Sequence, residues 1–366
     1  MKNFVTCVII FLSLQLNDRP LTSTTPGNNI IPAGNLFIIT LDGFRWQEIF
    51  TGADPVLINN EKYTPDTATM KMLYWSPDAE GRRKKLLPFF WNVIAAKGQL
   101  YGNRFYDNKV NNSNIYSISY PGYNEIFTGN TDISISSNHK YSNPNINILE
   151  WLNQQGSFKG KVAAFTSWDV FPYIFNEKRS QVVLNSGYED REENGDPGQS
   201  LINKVQDDFI HDRTATRHDL LTFLTAKEYI QLHQPRVISL GLGETDEAAH
   251  NARYDIYLEK AAEADKMIAE LWHWVQTTPG YKDNTTFIIT TDHGRGKYAA
   301  SWPDHGMFIR GSSQTWLALI GPTIKPAGEM KEDQQLYQKQ LAQTIASLLG
   351  KEFKSSRPIA TAVSLK

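Results

Sequence analysis

Short apolar runs that end in an acid or a turn recur along this chain, with helix-length patterns between them. Leu36–Leu41 runs into Asp42-Gly43, and Val237–Gly241 leads toward Asp246 and His250. Thr286–Thr291 ends at Asp292-His293-Gly294. A continuous apolar run of strand length marks a strand buried on both faces, the kind found in a parallel sheet covered by helices. Lys161–Phe165, Trp316–Ile320 and a stretch near Leu100–Phe105 read as further strands. Helices are expected at Leu86–Ala96, with Pro88 in the first turn, and at Asn145–Gln155 and Thr216–Leu232. Tyr257, Ala261, Ala264, Ile268, Leu271 and Val275 mark one face of a long helix that ends at Pro279-Gly280. Leu341, Ile345 and Leu348 line a last helix, with Gly350 as its stop. The alternation predicts a three-layer α/β/α sandwich with a mostly parallel central sheet. In such sheets ligands collect beyond the carboxyl ends of the strands, where these acids and imidazoles fall.

The chain divides at residue 33. Met1-Lys2-Asn3-Phe4 opens an apolar run to about Leu16, a charged start and short apolar segment that read as a secretory signal. The run is shorter than the roughly 20 residues a membrane-spanning helix needs. Residues 1–33 are therefore expected to be a signal and leader cut before Gly34, and 34–366 a single domain, exported to a periplasm or secreted. The one cysteine, Cys7, lies in the leader, so a processed chain has no disulfide, no cysteine nucleophile and no cysteine-ligated zinc. With 37 basic and 39 acidic residues, charge gives no reason to expect a nucleic-acid polymer as partner. Two polar stretches, 52–85 and 186–217, look inserted and are candidate caps.

Three Asp and three His form the chemical core of the sequence: Asp42, Asp246, His250, Asp292, His293 and His305. Asp246 and His250 are four residues apart, which on a helical turn directs both side chains at one ion. Asp and His together are the donors of a two-metal hydrolase centre. Ser119 precedes Tyr120-Pro121-Gly122 at the expected start of a helix, with Pro121 near its first position. There the helix dipole and free amides favour an anion, whether an alkoxide or an incoming phosphate. Ser117 competes for the nucleophile role, and spacing alone does not separate the two.

These segments resemble the alkaline phosphatase superfamily, and within it the nucleotide pyrophosphatase/phosphodiesterase-like branch. Leu41-Asp42-Gly43-Phe44-Arg45 is similar to that branch's first ligand-bearing strand end. Ser119-Tyr120-Pro121 through Thr128-Gly129 is similar to its nucleophile segment, in the register that selects Ser119 over Ser117. Glu244-Thr245-Asp246 through His250, Asp292-His293-Gly294 and His305-Gly306 resemble its remaining ligand elements. The resemblance runs from about Leu36 to Gly350 and implies an alkaline phosphatase-like fold. It implies two divalent ions, zinc by the family's usage. One would be held by Asp246, His250 and His305, the other by Asp42, Asp292, His293 and the Ser119 oxygen. The implied substrate is a small-molecule phosphate ester, mono- or diester, cleaved through a phosphoseryl enzyme. An Asn that binds a non-bridging phosphate oxygen is matched best by Asn138, with Asn130 and Asn143 as alternatives.

Departures are equally visible. The nucleophile is Ser where the diesterase branch has Thr. Gly122-Tyr123 stands where Asn-His or Asn-Leu is usual. No Cys-x-Pro-x-Arg sulfatase signature occurs. The same ligand set would also serve a phosphomutase, although that reaction suits a cytosolic chain with a large inserted domain, or a binding protein that has lost turnover.

Overall fold

A computed structural model describes residues 33–191, 197–211 and 213–366; the proposed signal lies outside them. Among the described residues eleven strands follow in chain order: β1 Asn35–Leu41, β2 Gly98–Tyr101, β3 Asn108–Asn111, β4 Val162–Thr166, β5 Val183–Ser186, β6 Val237–Leu242, β7 Thr285–Thr290, β8 Gln314–Thr315, β9 Leu317–Ile320, β10 Gly328–Glu329 and β11 Gln334–Tyr337. Eight form the main sheet, in the order β10-β2-β9-β7-β1-β6-β4-β5, and β11-β3-β8 make a small second one. β1 lies between β6 and β7 and pairs parallel with both, while β9 runs antiparallel to β7.

The side chains of β1 alternate between two cores. Phe37, Ile39 and Leu41 face one, shared with the helices Asp219–His233 and Tyr254–Thr277. Leu36 and Ile38 face the other, shared with Ser119–Thr128, Ile148–Asn153 and Leu341–Leu348. Every residue of β1, β6 and β7 is buried. A strand buried on both faces thus satisfies two helical layers at once, and the expected α/β/α sandwich is what the chain forms.

The differences are local. The helix expected over Leu86–Ala96 spans 88–97 and is not uniform: a π-helical turn, Phe90–Ile94, passes directly into Ala95–Lys97, and Ala79–Leu86 is a separate helix before it. Pro88 opens the 88–97 helix in the expected first turn, where a missing amide costs no intrahelical bond. The Asp265 carboxylate accepts the Phe89 and Phe90 amides at 2.8 and 2.9 Å and satisfies the new start. The polar stretch 52–85 sends Leu57, Ile58, Tyr63 and Met70 into the core. Tyr63 packs edge-on against Trp302, three residues before His305, at 5.7 Å. The stretch 186–217 carries the helix Pro197–Phe209.

Candidate active site

The parallel register brings the acids together. Thr40 of β1 aligns with Gly241 of β6 and Thr290 of β7, so the three central strands end at one level. Asp42 follows β1 directly, Asp292 lies two residues past β7, and the short helix Glu244–His250 follows β6. Gly43 turns the chain at φ +58°. A Cβ there would fall 2.5 Å from Asp246 Oδ1, so the turn both needs the left-handed conformation and has no room for a side chain.

Asp42, Asp292 and His293 form one compact buried cluster. His293 Nε2 lies 3.5 Å from Asp42 Oδ1, 3.5 Å from Asp292 Oδ2 and 3.3 Å from Ser119 Oγ. Those two carboxylate oxygens are buried with no hydrogen-bond partner, whereas their twins are taken. Asp42 Oδ2 accepts from the Tyr123 hydroxyl at 3.0 Å, and Asp292 Oδ1 accepts from the Gly43 amide at 3.1 Å. His293 Nδ1 lies 2.9 Å from the Gly294 carbonyl, which can only accept. Nδ1 therefore carries the proton and Nε2 turns its lone pair inward.

The second cluster is Asp246, His250 and His305, partly open to solvent. His250 Nε2 lies 3.1 Å from Asp246 Oδ2 and 3.0 Å from His305 Nε2. The i, i+4 spacing of Asp246 and His250 works as expected on the helix Glu244–His250. His305 Nδ1 lies 3.2 Å from the Ser117 carbonyl, so its Nε2 also faces inward as an acceptor. The rings of His293 and His305 stack at 3.8 Å, which joins the two clusters.

Ser119 and Ser117 occupy different surroundings. Ser119 is the first residue of the helix Ser119–Thr128, with Ile118 as its cap, so Pro121 falls two positions later than expected. Its hydroxyl faces His293. Ser117 Oγ instead points at Asn112 Oδ1, 3.4 Å away, and its backbone sits at φ +49°. Asn138 reaches the same helix start, where its Oδ1 accepts the Tyr120 amide at 3.0 Å. Asn130 bonds back to Thr128, and the fully buried Asn143 is held by Asn124 and Asn145.

A family model for type I phosphodiesterase/nucleotide pyrophosphatase matches residues 96–321, more than half of the chain. The chain belongs to that family. It is an enzyme of the phosphoric-ester hydrolase class. Solved structures share its alkaline phosphatase-like fold at low identity. A mutant of the alkaline phosphatase PafA is 12% identical with a TM-score of 0.57, covering 92% of this chain and 99% of that one. The phosphonate monoester hydrolase SpPMH from Silicibacter pomeroyi is 15% identical with a TM-score of 0.52, covering 87% and 74%. The lipoteichoic acid synthase LtaP from Listeria monocytogenes is 12% identical with a TM-score of 0.55, covering 88% and 73%. No curated protein matches the chain at a significant level.

In this member of the phosphodiesterase family the electrostatics of these residues suits metal ions. Burial, with the charges of Asp292 and Asp246 added, pushes Asp42 well above the usual carboxylate range. Burial likewise carries Asp292 to about 8. Burial depresses His293 and brings His305 down to about 4. Two buried acids with orphaned oxygens around neutral imidazoles are costly without a cation and favourable with one. The three separations of 3.3–3.5 Å from His293 Nε2 match those between donors that share a tetrahedral ion with bonds of about 2.0–2.1 Å, the zinc range. The mixed Asp/His donors also suit zinc better than calcium or magnesium, which take oxygen ligands.

Three further residues shape the site and were not evident in the sequence. Arg295, buried and two residues past His293, donates to Asp246, to the Pro303 carbonyl, and through Nε to the Trp302 carbonyl at 3.1 Å. Burial would raise the Asp246 pKa, but Arg295 and the neighbouring imidazoles outweigh it and hold the carboxyl well below its usual value. Asp219 accepts the Gly243 and Glu244 amides at 2.8 and 3.1 Å, so it caps the helix that carries Asp246 and His250. Tyr123 grips Asp42. The only sequence signal among them was Gly122-Tyr123, an unusual pair at a recognisable position.

Proposed function

We propose that this chain is an exported hydrolase of small phosphate esters that works through a phosphoseryl intermediate on Ser119. Asp42, Asp292, His293 and Ser119 would hold one zinc ion, and Asp246, His250 and His305 a second. The observation that carries this is the inward-facing set of Asp42 Oδ1, Asp292 Oδ2, His293 Nε2 and Ser119 Oγ, beside a second Asp/His cluster. When bound, the two ions supply Lewis-acid stabilisation of the attacking and departing oxygens.

The chain's own residues position and orient. The helix Ser119–Thr128 holds the Ser119 oxygen at its amino end, where the dipole favours both an alkoxide and a phosphate. Ser119 Oγ bonds to phosphorus as the ester P–O bond breaks, and the alcohol leaves. Water then attacks phosphorus, and Ser119 recovers its proton as phosphate, or a phosphate monoester from a diester, departs. Asn138, with Oδ1 committed to the Tyr120 amide, keeps its NH2 group to donate to a non-bridging oxygen. His250, half exposed, places the leaving-group side of the site toward solvent. Export rests on the charged start and apolar run of residues 1–16. Among the described residues no helix is long and apolar enough to cross a membrane.

The test is one preparation assayed on p-nitrophenyl phosphate, bis-p-nitrophenyl phosphate, a dinucleotide and p-nitrophenyl sulfate, with metal analysis of the same sample. Two zinc ions per chain and phosphate-ester turnover are expected, and the monoester-to-diester ratio assigns the substrate class. Ser119→Ala should lower kcat by roughly 10⁴-fold or more with its metal retained. Ser117→Ala should keep most of the rate. Equal losses in the two variants would remove Ser119 from the nucleophile role.

A further inference from the structure

Gly122-Tyr123 is the departure from the family pattern that the mechanism leaves unused. Gly122 lies where the helix Ser119–Thr128 meets the backbone of Asp292: a Cβ on it would come within 2.5 Å of the Asp292 carbonyl oxygen. The missing side chain lets the helix close on β7's end. That approach puts Tyr123, one turn after Ser119, beneath Asp42, with its hydroxyl 3.0 Å from Oδ2. The Tyr123 ring is 1% exposed and is buttressed edge-on by Phe171 at 4.6 Å. One oxygen of Asp42 is thereby engaged, and only Oδ1 faces His293.

We propose, on the two-metal assignment above, that Tyr123 is a positioning residue that restricts Asp42 to one-oxygen coordination of the ion beside Ser119. A free carboxylate can chelate through both oxygens, which would add a ligand and crowd the position that Ser119 must share. The phenol blocks that mode and fixes the carboxylate's rotation. Gly122 and Tyr123 act as a pair: the glycine sets the helix-to-strand distance at which the hydroxyl reaches. Because Tyr123 and Ser119 lie on the same helix, the nucleophile and the orientation of its metal's ligand move as one rigid unit.

The experiment uses full-length protein stripped of metal and titrated with Co²⁺, whose visible bands are strong in four-coordinate and weak in five-coordinate sites. Tyr123→Phe keeps the ring and removes only the hydroxyl. One of the two bound Co²⁺ ions should lose band intensity in the variant. The affinity of that site should fall by roughly 10- to 100-fold, as for other partners of metal ligands. A purely structural role would lower the metal-free melting temperature and leave the spectrum alone. A variant with wild-type spectrum and affinity overturns the role of Tyr123 while leaving the two-metal assignment intact. Wild-type protein that takes up no Co²⁺ overturns both. If Tyr123→Phe does not fold, Phe171→Leu, which loosens the ring and leaves the hydroxyl, should give the same spectral change in smaller measure. Its absence there overturns the role equally.

Discussion

A metal ion held by Asp246 would compete with Arg295 to neutralise the same carboxylate, and that competition can be measured. Arg295→Met keeps the aliphatic bulk and removes the guanidinium. The side chain is 1% exposed and its three nitrogens bond Asp246 and the carbonyls of Trp302 and Pro303. In metal-free protein the variant leaves Asp246 without its cation, a loss of about 3–5 kcal/mol for a broken buried pair. With zinc at Asp246 the charge stays compensated, and the remaining penalty is that of the carbonyls, about 1–3 kcal/mol. The difference of about 2 kcal/mol corresponds through the thermodynamic cycle to roughly 30-fold tighter zinc binding by the variant. Urea unfolding at pH 7, in chelator and in zinc, reads both penalties from the midpoints. Because the folded Asp246 pKa is depressed, the ion pair contributes fully above about pH 4 and is lost only as pH falls through the folded value, so neutral pH is the place to measure. Equal penalties in the two conditions, or a larger one in zinc, would refute the competition and leave Arg295 as packing or as an organiser of the His305 loop.

Metal-free protein should lose stability as pH rises from about 6.5 to about 8. Asp292, at about 8, still holds its proton there while the unfolded acid has lost it, and Asp42 acts in the same direction. Between about 4 and 6.5 the depressed His293 and His305 oppose this, since the unfolded imidazoles bind protons first. Zinc should abolish the decline above pH 6.5; a decline of the same slope in zinc would contradict it. Asp219→Ala should destabilise the fold by about 1–2 kcal/mol through loss of the helix cap. Calorimetry should find zinc weakened at the Asp246 cluster and unchanged at the other; equal weakening at both would argue against a local effect.

Whatever is periodic or local was readable in the sequence. β1, β6 and β7 show as mostly apolar or β-branched runs without polar alternation because a strand between two helical layers has no polar face. Five of the six acids and imidazoles show because each lies within a few residues of a strand end or on one helical turn, while His305 lies in a loop and shows only through the motif order. Contacts between distant segments left no such trace. Tyr123 meets Asp42 across 81 residues, and Arg295 meets Asp246 across 49. The small β11-β3-β8 sheet joins three strands too short to show a pattern. The sequence told of the candidate ligands and their order, since donor chemistry belongs to residue types. Which oxygen of each carboxylate faces inward, which nitrogen carries the imidazole proton, and which serine faces His293 depended on the folded chain. Those are properties of hydrogen bonds whose partners meet only after the strands have aligned.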